Sequence, residues 1–163
     1  MLRTAKRHGQ TPEAAKPWSL VMFSVGGKRV AVRAEEIGGV YPWTEAMPVP
    51  SLTPYVNAVV RQGEEILPVF DLARLLMVQV SRAEPLCLRA KRQDGLMAVC
   101  IDPDVPTLHQ IDAQAVRTAS AGSPGVVGMC SIGAEDVPIY SWAMFGPTPA
   151  QQVASRGELA VKM

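Results

Sequence analysis

The chain has 163 residues, of which 48% are hydrophobic, and a net charge of +1. At this length and apolar content it buries about 70% of its unfolded surface in one folded unit, and its longest apolar runs, Ala58 to Val60 and Ile66 to Phe70, fall far short of the ~18 residues a membrane helix needs. Residues 18–146 hold ten basic and thirteen acidic side chains, which argues against a nucleic-acid binder, since a phosphate-binding face needs Lys and Arg clustered on folded surface.

Residues 1–17 carry Arg3, Lys6, Arg7 and Lys16 against Glu13, with no aromatic residue before Trp18. Such a segment buries too little apolar surface to order itself, and it lacks the apolar stretch of a secretory leader. A disordered basic tail and a soluble, cytoplasmic protein are expected. Leu20 to Val25 and Arg29 to Val32 then flank Gly26-Gly27, a dipeptide suited to the positive φ of a tight hairpin turn. Pro42, Pro48, Pro50 and Pro54 rule out a helix or a central strand and predict an extended connection. Ala73 to Val78 predicts a turn or two of helix with Asp71 as N-cap. Leu86 to Arg92 and Leu96 to Asp102 predict a second hairpin turning at Asp94-Gly95. That register pairs Leu88 with Ile101, Ala90 with Val99 and Arg92 with Met97 on the core face, and Cys87 with Asp102 and Arg89 with Cys100 on the other. Arg89, Lys91 and Arg92 read as the solvated outer face of a strand. Asp112 to Thr118 predicts another short helix, Ser120 to Gly125 a polar loop, and residues 147–163 a loose or marginally helical tail.

The chain repeats itself. Pro68-Val69-Phe70-Asp71-Leu72-Ala73-Arg74-Leu75 and Pro138-Ile139-Tyr140-Ser141-Trp142-Ala143-Met144-Phe145 share one pattern of proline, aliphatic, aromatic, polar, large apolar, alanine, any residue, large apolar. A Val-Val pair precedes each copy (Val59-Val60, Val126-Val127), and Val30-Ala31-Val32 likewise matches Met97-Ala98-Val99. Two copies are too few for a solenoid. They predict two similar β subdomains, about 18–80 and 81–146, that exchange a strand or share a core at their junction.

Chemistry-bearing patterns are scarce. His8 lies in the tail, and His109 has Asp112 as a possible orienting carboxylate but no nucleophile. Cys87, Cys100 and Cys130 have no metal-site spacing. In the register above Cys87 and Cys100 are diagonal, about 7 to 8 Å apart, too far for an unstrained disulfide, so free thiols in a reducing compartment are expected. Gly122-Ser123-Pro124-Gly125 lacks the lysine of a phosphate loop, and Asp102, Asp104 and Asp112 lack a cation-binding frame. A small β-barrel thiol or redox enzyme using one of the cysteines remains as an alternative, set against the usual inertness of thiols buried in strands.

Trp18 to Phe145 resembles the CheW-like domain, the coupling module of bacterial chemosensory arrays that also ends the chemotaxis kinase CheA. The resemblance rests on Leu20-Val21-Met22-Phe23, the proline-rich Met47-Pro48-Val49-Pro50, Pro54-Tyr55-Val56, Ile66-Leu67-Pro68-Val69-Phe70-Asp71-Leu72, Met97-Ala98-Val99-Cys100-Ile101-Asp102 and Val137-Pro138-Ile139-Tyr140. It implies an all-β fold of two small five-stranded SH3-like β-barrels packed together. The implied function is a non-enzymatic adaptor, without cofactor or metal, that joins the cytoplasmic tip of a methyl-accepting chemoreceptor to the regulatory domain of a CheA-type histidine kinase. Such a protein works in the cytoplasm, recruited to membrane-associated receptor arrays without inserting into the membrane. A variant of this reading is a scaffold of a non-flagellar system, for pilus motility or development, with altered partners.

One segment departs from the family pattern. Where the family has Asn-Leu-Arg-Gly this chain has Arg61-Gln62-Gly63-Glu64, and the family's earlier glycine is Ala58. Arg61 returns a positive charge two residues away, a displacement of about 6.6 Å along a strand. The resemblance places receptors in an apolar groove between the barrels and the kinase at a barrel end. The partner-binding residues it implies are Ile37 and Val40 after the first hairpin, Ala58, Arg61, Gly63 and Glu64 in the divergent segment, and Val105 and Leu108 in the second half. For Ile37, Val40, Val105 and Leu108 the alternative is plain core.

Overall fold

The computed structural model describes residues 16–119 and 124–145. The expectations for the two tails, for His8 and for most of the 120–125 loop therefore lie outside the described residues, apart from Lys16 and Pro17. Eleven strands make up the described fold. They are β1 (Trp18–Val25), β2 (Lys28–Arg33), β3 (Ile37–Pro42), β4 (Ala46–Pro48), β5 (Val56–Gln62), β6 (Glu65–Phe70), β7 (Leu86–Arg92), β8 (Gly95–Ile101), β9 (Thr107–Ile111), β10 (Val126–Ile132) and β11 (Glu135–Tyr140). One helix, α1 (Leu72–Leu76), follows β6, and its cap is the expected one: Asp71 Oδ1 accepts the Arg74 amide at 3.1 Å. Four hairpins turn on two-residue loops, Gly26-Gly27, Gly63-Glu64, Gln93-Asp94 and Gly133-Ala134.

The strands form two curled sheets, ordered β10-β11-β2-β1-β9 and β3-β7-β8-β6-β5-β4. The first curls closed where Arg117, beyond β9, exchanges backbone hydrogen bonds with Met129 of β10 at 2.7 and 2.9 Å. The second has one strand more than expected. That strand is the three-residue β4, which ends at Pro48 on the sheet edge, where a proline removes no ladder bond that the sheet needs.

The duplication is wired crosswise. β6 pairs in parallel with β8, Val69 facing Ala98 and Phe70 facing Val99; their repeat equivalents pair the same way, β11 lying parallel to β2 with Ile139 facing Ala31 and Tyr140 facing Val32. Each copy of the proline–aliphatic–aromatic strand thus lies against the hairpin of the other copy. The chain makes β1 and β2 in the first sheet, crosses to build all of β3 to β8 in the second, and returns for β9 to β11. Strand exchange between the halves therefore involves whole hairpins.

Side-chain alternation sorts the buried residues into three cores. Leu20, Met22, Ala31, Cys130, Val137 and Ile139 fill the first barrel. Val60, Leu67, Val69, Cys87 and Ala98, many of them the repeat equivalents of those residues, fill the second. The opposite faces of both hairpins meet in the largest core, where Phe23, Val25, Val30 and Val32 pack with Phe70, Leu88, Met97, Val99 and Ile101. Trp142 and Phe70 sit at 0% and 1% exposure there, with ring centroids 6.2 Å apart, and Phe145 lies 4.5 Å from Phe70. Burial at this junction, at about 25 cal/mol per Å² of apolar surface, is what holds the two barrels together.

Three sequence expectations fail. The second hairpin turns one residue earlier than expected, at Gln93-Asp94, so Leu88 faces Val99, Ala90 faces Met97 and Cys87 faces Cys100. The cause is Arg92, whose Nε and Nη2 donate to the Asp94 carboxylate at 2.8 and 3.1 Å and hold it inside the turn. A two-residue shift leaves every side chain on its assigned face, but the face expected to lie away from the core is buried too, with Cys87 and Ala98 filling the second barrel. The basic cluster is not uniformly solvated either. Lys91 is exposed, but the Arg89 and Arg92 side chains are only 16% and 9% accessible. Finally, residues 112–118 form a single 3-10 turn, Ala113–Ala115, because Arg117 is drawn into the bridge to Met129.

Candidate partner-binding surface

The eight residues singled out from the sequence fall in three places. Ile37 and Val40 lie on β3, an edge strand, facing Ala90 and Leu88 of β7. Leu108 lies on β9, the edge of the other sheet, facing Val21 of β1. Residues opposed across an antiparallel pair share a face. Since Leu88 is buried in the junction core and Val21 packs against it, Val40 and Leu108 extend that core outward at two equivalent sites. Val40 is 39% exposed and Leu108 65%, while Ile37 is half-buried against the junction core. Val105 is 79% exposed and lines a cleft of about 170 Å³ with Phe23, Arg29, Asp104 and Thr107. Val40, Val105 and Leu108 are not plain core.

The divergent segment is the β5–β6 hairpin and its tip. Ala58 faces Val69 and packs, half-buried, toward the second barrel's interior. Arg61 is exposed, but its Nε donates to the Gly63 carbonyl at 3.3 Å, folding the guanidinium back over its own turn, while Thr44 Oγ1 donates to the Arg61 carbonyl at 2.9 Å. Gly63 has φ +64 and Glu64 completes the turn. The position where the family has arginine is thus left-handed backbone, which suits glycine.

Sequence reasoning passed over the apolar residues beside this tip. Ile66, opposite Arg61, is 67% exposed, and Met47, opposite Val59, is 68% exposed. Ile66 was hidden inside the apolar run to Phe70, although strict alternation across the Gly63-Glu64 turn puts it on Arg61's outer face. Beside it Arg89 occupies the repeat position of Met22, its guanidinium 4.5 Å over the Tyr41 ring and Nη1 3.3 Å from Glu65. This contact bridges β3, β7 and β6 at the barrel mouth.

None of the groups weighed for catalysis acquires a catalytic setting. His109 Nε2 lies 2.8 Å from Thr107 Oγ1, and Asp112 caps the Gln114 amide instead of orienting the ring. Asp102 accepts the Gly26 and Gly27 amides, each at 2.9 Å, and so clasps the first hairpin turn. Burial pushes Cys87 up to about 11 and Cys100 up to about 12, and raises Cys130 as well. A catalytic thiol, which must be largely thiolate near neutral pH, needs the opposite shift. Among the described residues no group of three or more His, Cys, Asp or Glu is placed to hold a metal ion, and no helix is long and apolar enough to cross a membrane.

Two β-barrels with exchanged hairpins, and apolar side chains that continue the junction core to its surface, define a double-barrel domain. The chain belongs to the CheW-like domain family, which matches residues 19–139. Among solved structures it is similar to the scaffolding protein TtCheW from Thermoanaerobacter tengcongensis, with a TM-score of 0.69 at 13% identity over 78% of this chain and 86% of that one. At that identity the likeness is one of fold. No curated protein matches the chain.

Proposed function

We propose that this chain is a non-enzymatic adaptor that couples the cytoplasmic tips of chemoreceptors to the regulatory domain of a CheA-type histidine kinase. The observation that carries the reading is the equivalent pair Val40 and Leu108. Both are exposed apolar residues on edge strands, on the face of their sheet that forms the junction core. An apolar strip that begins in a core and ends in solvent suits an amphipathic partner helix, which supplies the missing half of the packing. Membership of the CheW-like family supports the same reading, and the burial that raises all three thiols favours it over thiol catalysis. The protein then resides in the cytoplasm at receptor arrays, held there by its partners.

The test is reconstitution of the purified protein with a chemoreceptor cytoplasmic fragment and a CheA-type kinase, followed by co-sedimentation and kinase autophosphorylation. The wild-type protein is expected to bring kinase to receptor. Val40→Glu and Leu108→Glu are expected to weaken that assembly at least about tenfold, or about 1.4 kcal/mol, with an unchanged melting temperature. A wild-type protein that leaves kinase and receptor separate, and kinase activity unaltered, overturns the reading.

A further inference from the structure

We propose that Cys87 and Cys100 are a redox pair: two thiols set directly opposite one another across β7 and β8 that close reversibly into a cross-strand disulfide. The register places Cys87 against Cys100 with no bulge between them and the turn. Arg92 and Gly95 flank the two-residue loop and therefore form a hydrogen-bonded pair. Pair types alternate along an antiparallel ladder, so Cys87 and Cys100, five pairs further on, form a pair of the other kind. Opposed residues in such a pair have Cα atoms about 4.5 Å apart and Cβ atoms at their closest, which meets the span of a disulfide. Both side chains share a face, and the Cys87 thiol is close enough to raise that of Cys100.

Access is one-sided. Cys87 is fully buried among Val60, Leu67, Val69 and Ala98. Cys100 is half-buried and lines an open cavity of about 990 Å³ between β6, α1 and residues 77–82. The first barrel has no such pair, since its matching positions are Leu20 and Arg33. Cys130 faces Val137.

The co-reactant is a low-molecular-weight disulfide. The Cys100 thiolate attacks one of its sulfurs, forming a mixed disulfide and expelling one thiolate. The Cys87 thiolate then attacks Cys100 Sγ and expels the second. Two protein thiols lose two protons and two electrons, and one small disulfide becomes two thiols. Burial holds Cys87 near 11 and Cys100 near 12, so thiolate is scarce at neutral pH. Closure is therefore slow there and speeds up about tenfold per pH unit as the thiolate fraction rises.

The native, full-length protein is incubated with oxidised glutathione between pH 7 and 9, quenched with an alkylating agent and mapped by peptide mass spectrometry. The expected result is a Cys87–Cys100 link without retained glutathione, Cys130 alkylated, an unchanged circular dichroism spectrum and reversal by dithiothreitol. Cys87→Ser is expected to stop at a glutathione adduct on Cys100. The wild-type map decides the matter even if that variant does not fold. The proposal is overturned if the native protein forms no 87–100 link under conditions that oxidise the guanidinium-unfolded chain, if the link appears only with loss of the native spectrum, or if Cys130 reacts first.

Discussion

Asp102 shows how much one side chain decides here. Its two oxygens take the Gly26 and Gly27 amides, tying the end of β8 to the turn of β1–β2, and hydrogen bonds to a charged group are worth about 1.5–3 kcal/mol each. Asp102→Ala is expected to cost about 3 kcal/mol in urea denaturation, and Asp102→Asn less, because the amide oxygen keeps one acceptor. Arg92 is the second such residue: it pairs with Asp94 and donates from Nη1 to the carbonyls of Trp142 and Phe145 at 2.9 and 3.0 Å. Arg92→Ala removes one partner of a buried pair and is expected to cost about 3–5 kcal/mol. At Gly63, φ +64 makes the family's arginine a strained residue. Gly63→Arg is expected to lose about 1–2 kcal/mol of stability, whereas Arg61→Glu, on an exposed side chain, changes it by less than about 0.5 kcal/mol. Asp136 is exposed, and hydrogen bonds from Ser131 and Arg117 hold its carboxyl below the usual range. Its contribution is present above the unfolded carboxylate pKa and is lost as pH falls through the lower folded value. Asp136→Asn is thus expected to flatten the acid limb of stability against pH. The sequence reads Arg92 as a solvated base and gives Asp102 no role, because the Trp142 and Phe145 carbonyls and the Gly26 and Gly27 amides lie about fifty to seventy-five residues away.

Turns and strands were more legible than single charges. Gly26-Gly27 and the Asp71 cap follow from short-range backbone chemistry, and both appear where composition put them. The Gly26 turn also carries a packing constraint that the sequence does not show: a Cβ there meets Val78 Cβ at 2.6 Å and the Gln79 carbonyl at 2.8 Å, with φ +58. Overpacking and strain act together in Gly26→Ala, which is expected to cost about 1–3 kcal/mol by thermal denaturation, while at Gly27, which has open space around it but φ +85, only the backbone strain remains. The register of β7–β8 was misread because an Asp-Gly dipeptide is a strong hairpin signal, yet the Arg92–Asp94 ion pair shifts the turn by one residue. The helix expected at 112–118 gave way for a similar reason. The two backbone hydrogen bonds that Arg117 exchanges with Met129 outweigh the weak helical preference of so short a segment.

Crossed pairing makes the two halves of the chain mutually dependent. β2 needs β11 and β6 needs β8, so a fragment of residues 18–80 retains its hairpins but loses the strand that each sheet borrows. Neither 18–80 nor 81–146 is expected to fold alone, and the two together are expected to reassociate. Amide dispersion in NMR spectra of the separate and mixed fragments checks this, and a folded 18–80 fragment would contradict it. The apolar strips at Val40 and Leu108 are products of the same exchange, because each edge strand is laid against the other half's hairpin. What the chain's local patterns established was the strands of the β1–β2 and β7–β8 hairpins, the Gly26-Gly27 turn, the Asp71 cap, the duplication and, through the ordered motifs, the family. Those depend on alternation, glycine and proline, which act over a few residues. Tertiary structure alone decided which hairpin each repeated strand joins, that Arg92 and Asp102 are buried clasps, that Val40 and Leu108 surface at equivalent edges, and that Cys87 meets Cys100. Each of these depends on groups far apart in sequence, brought together by burial of the shared junction core, and a one-dimensional pattern carries no record of that distance.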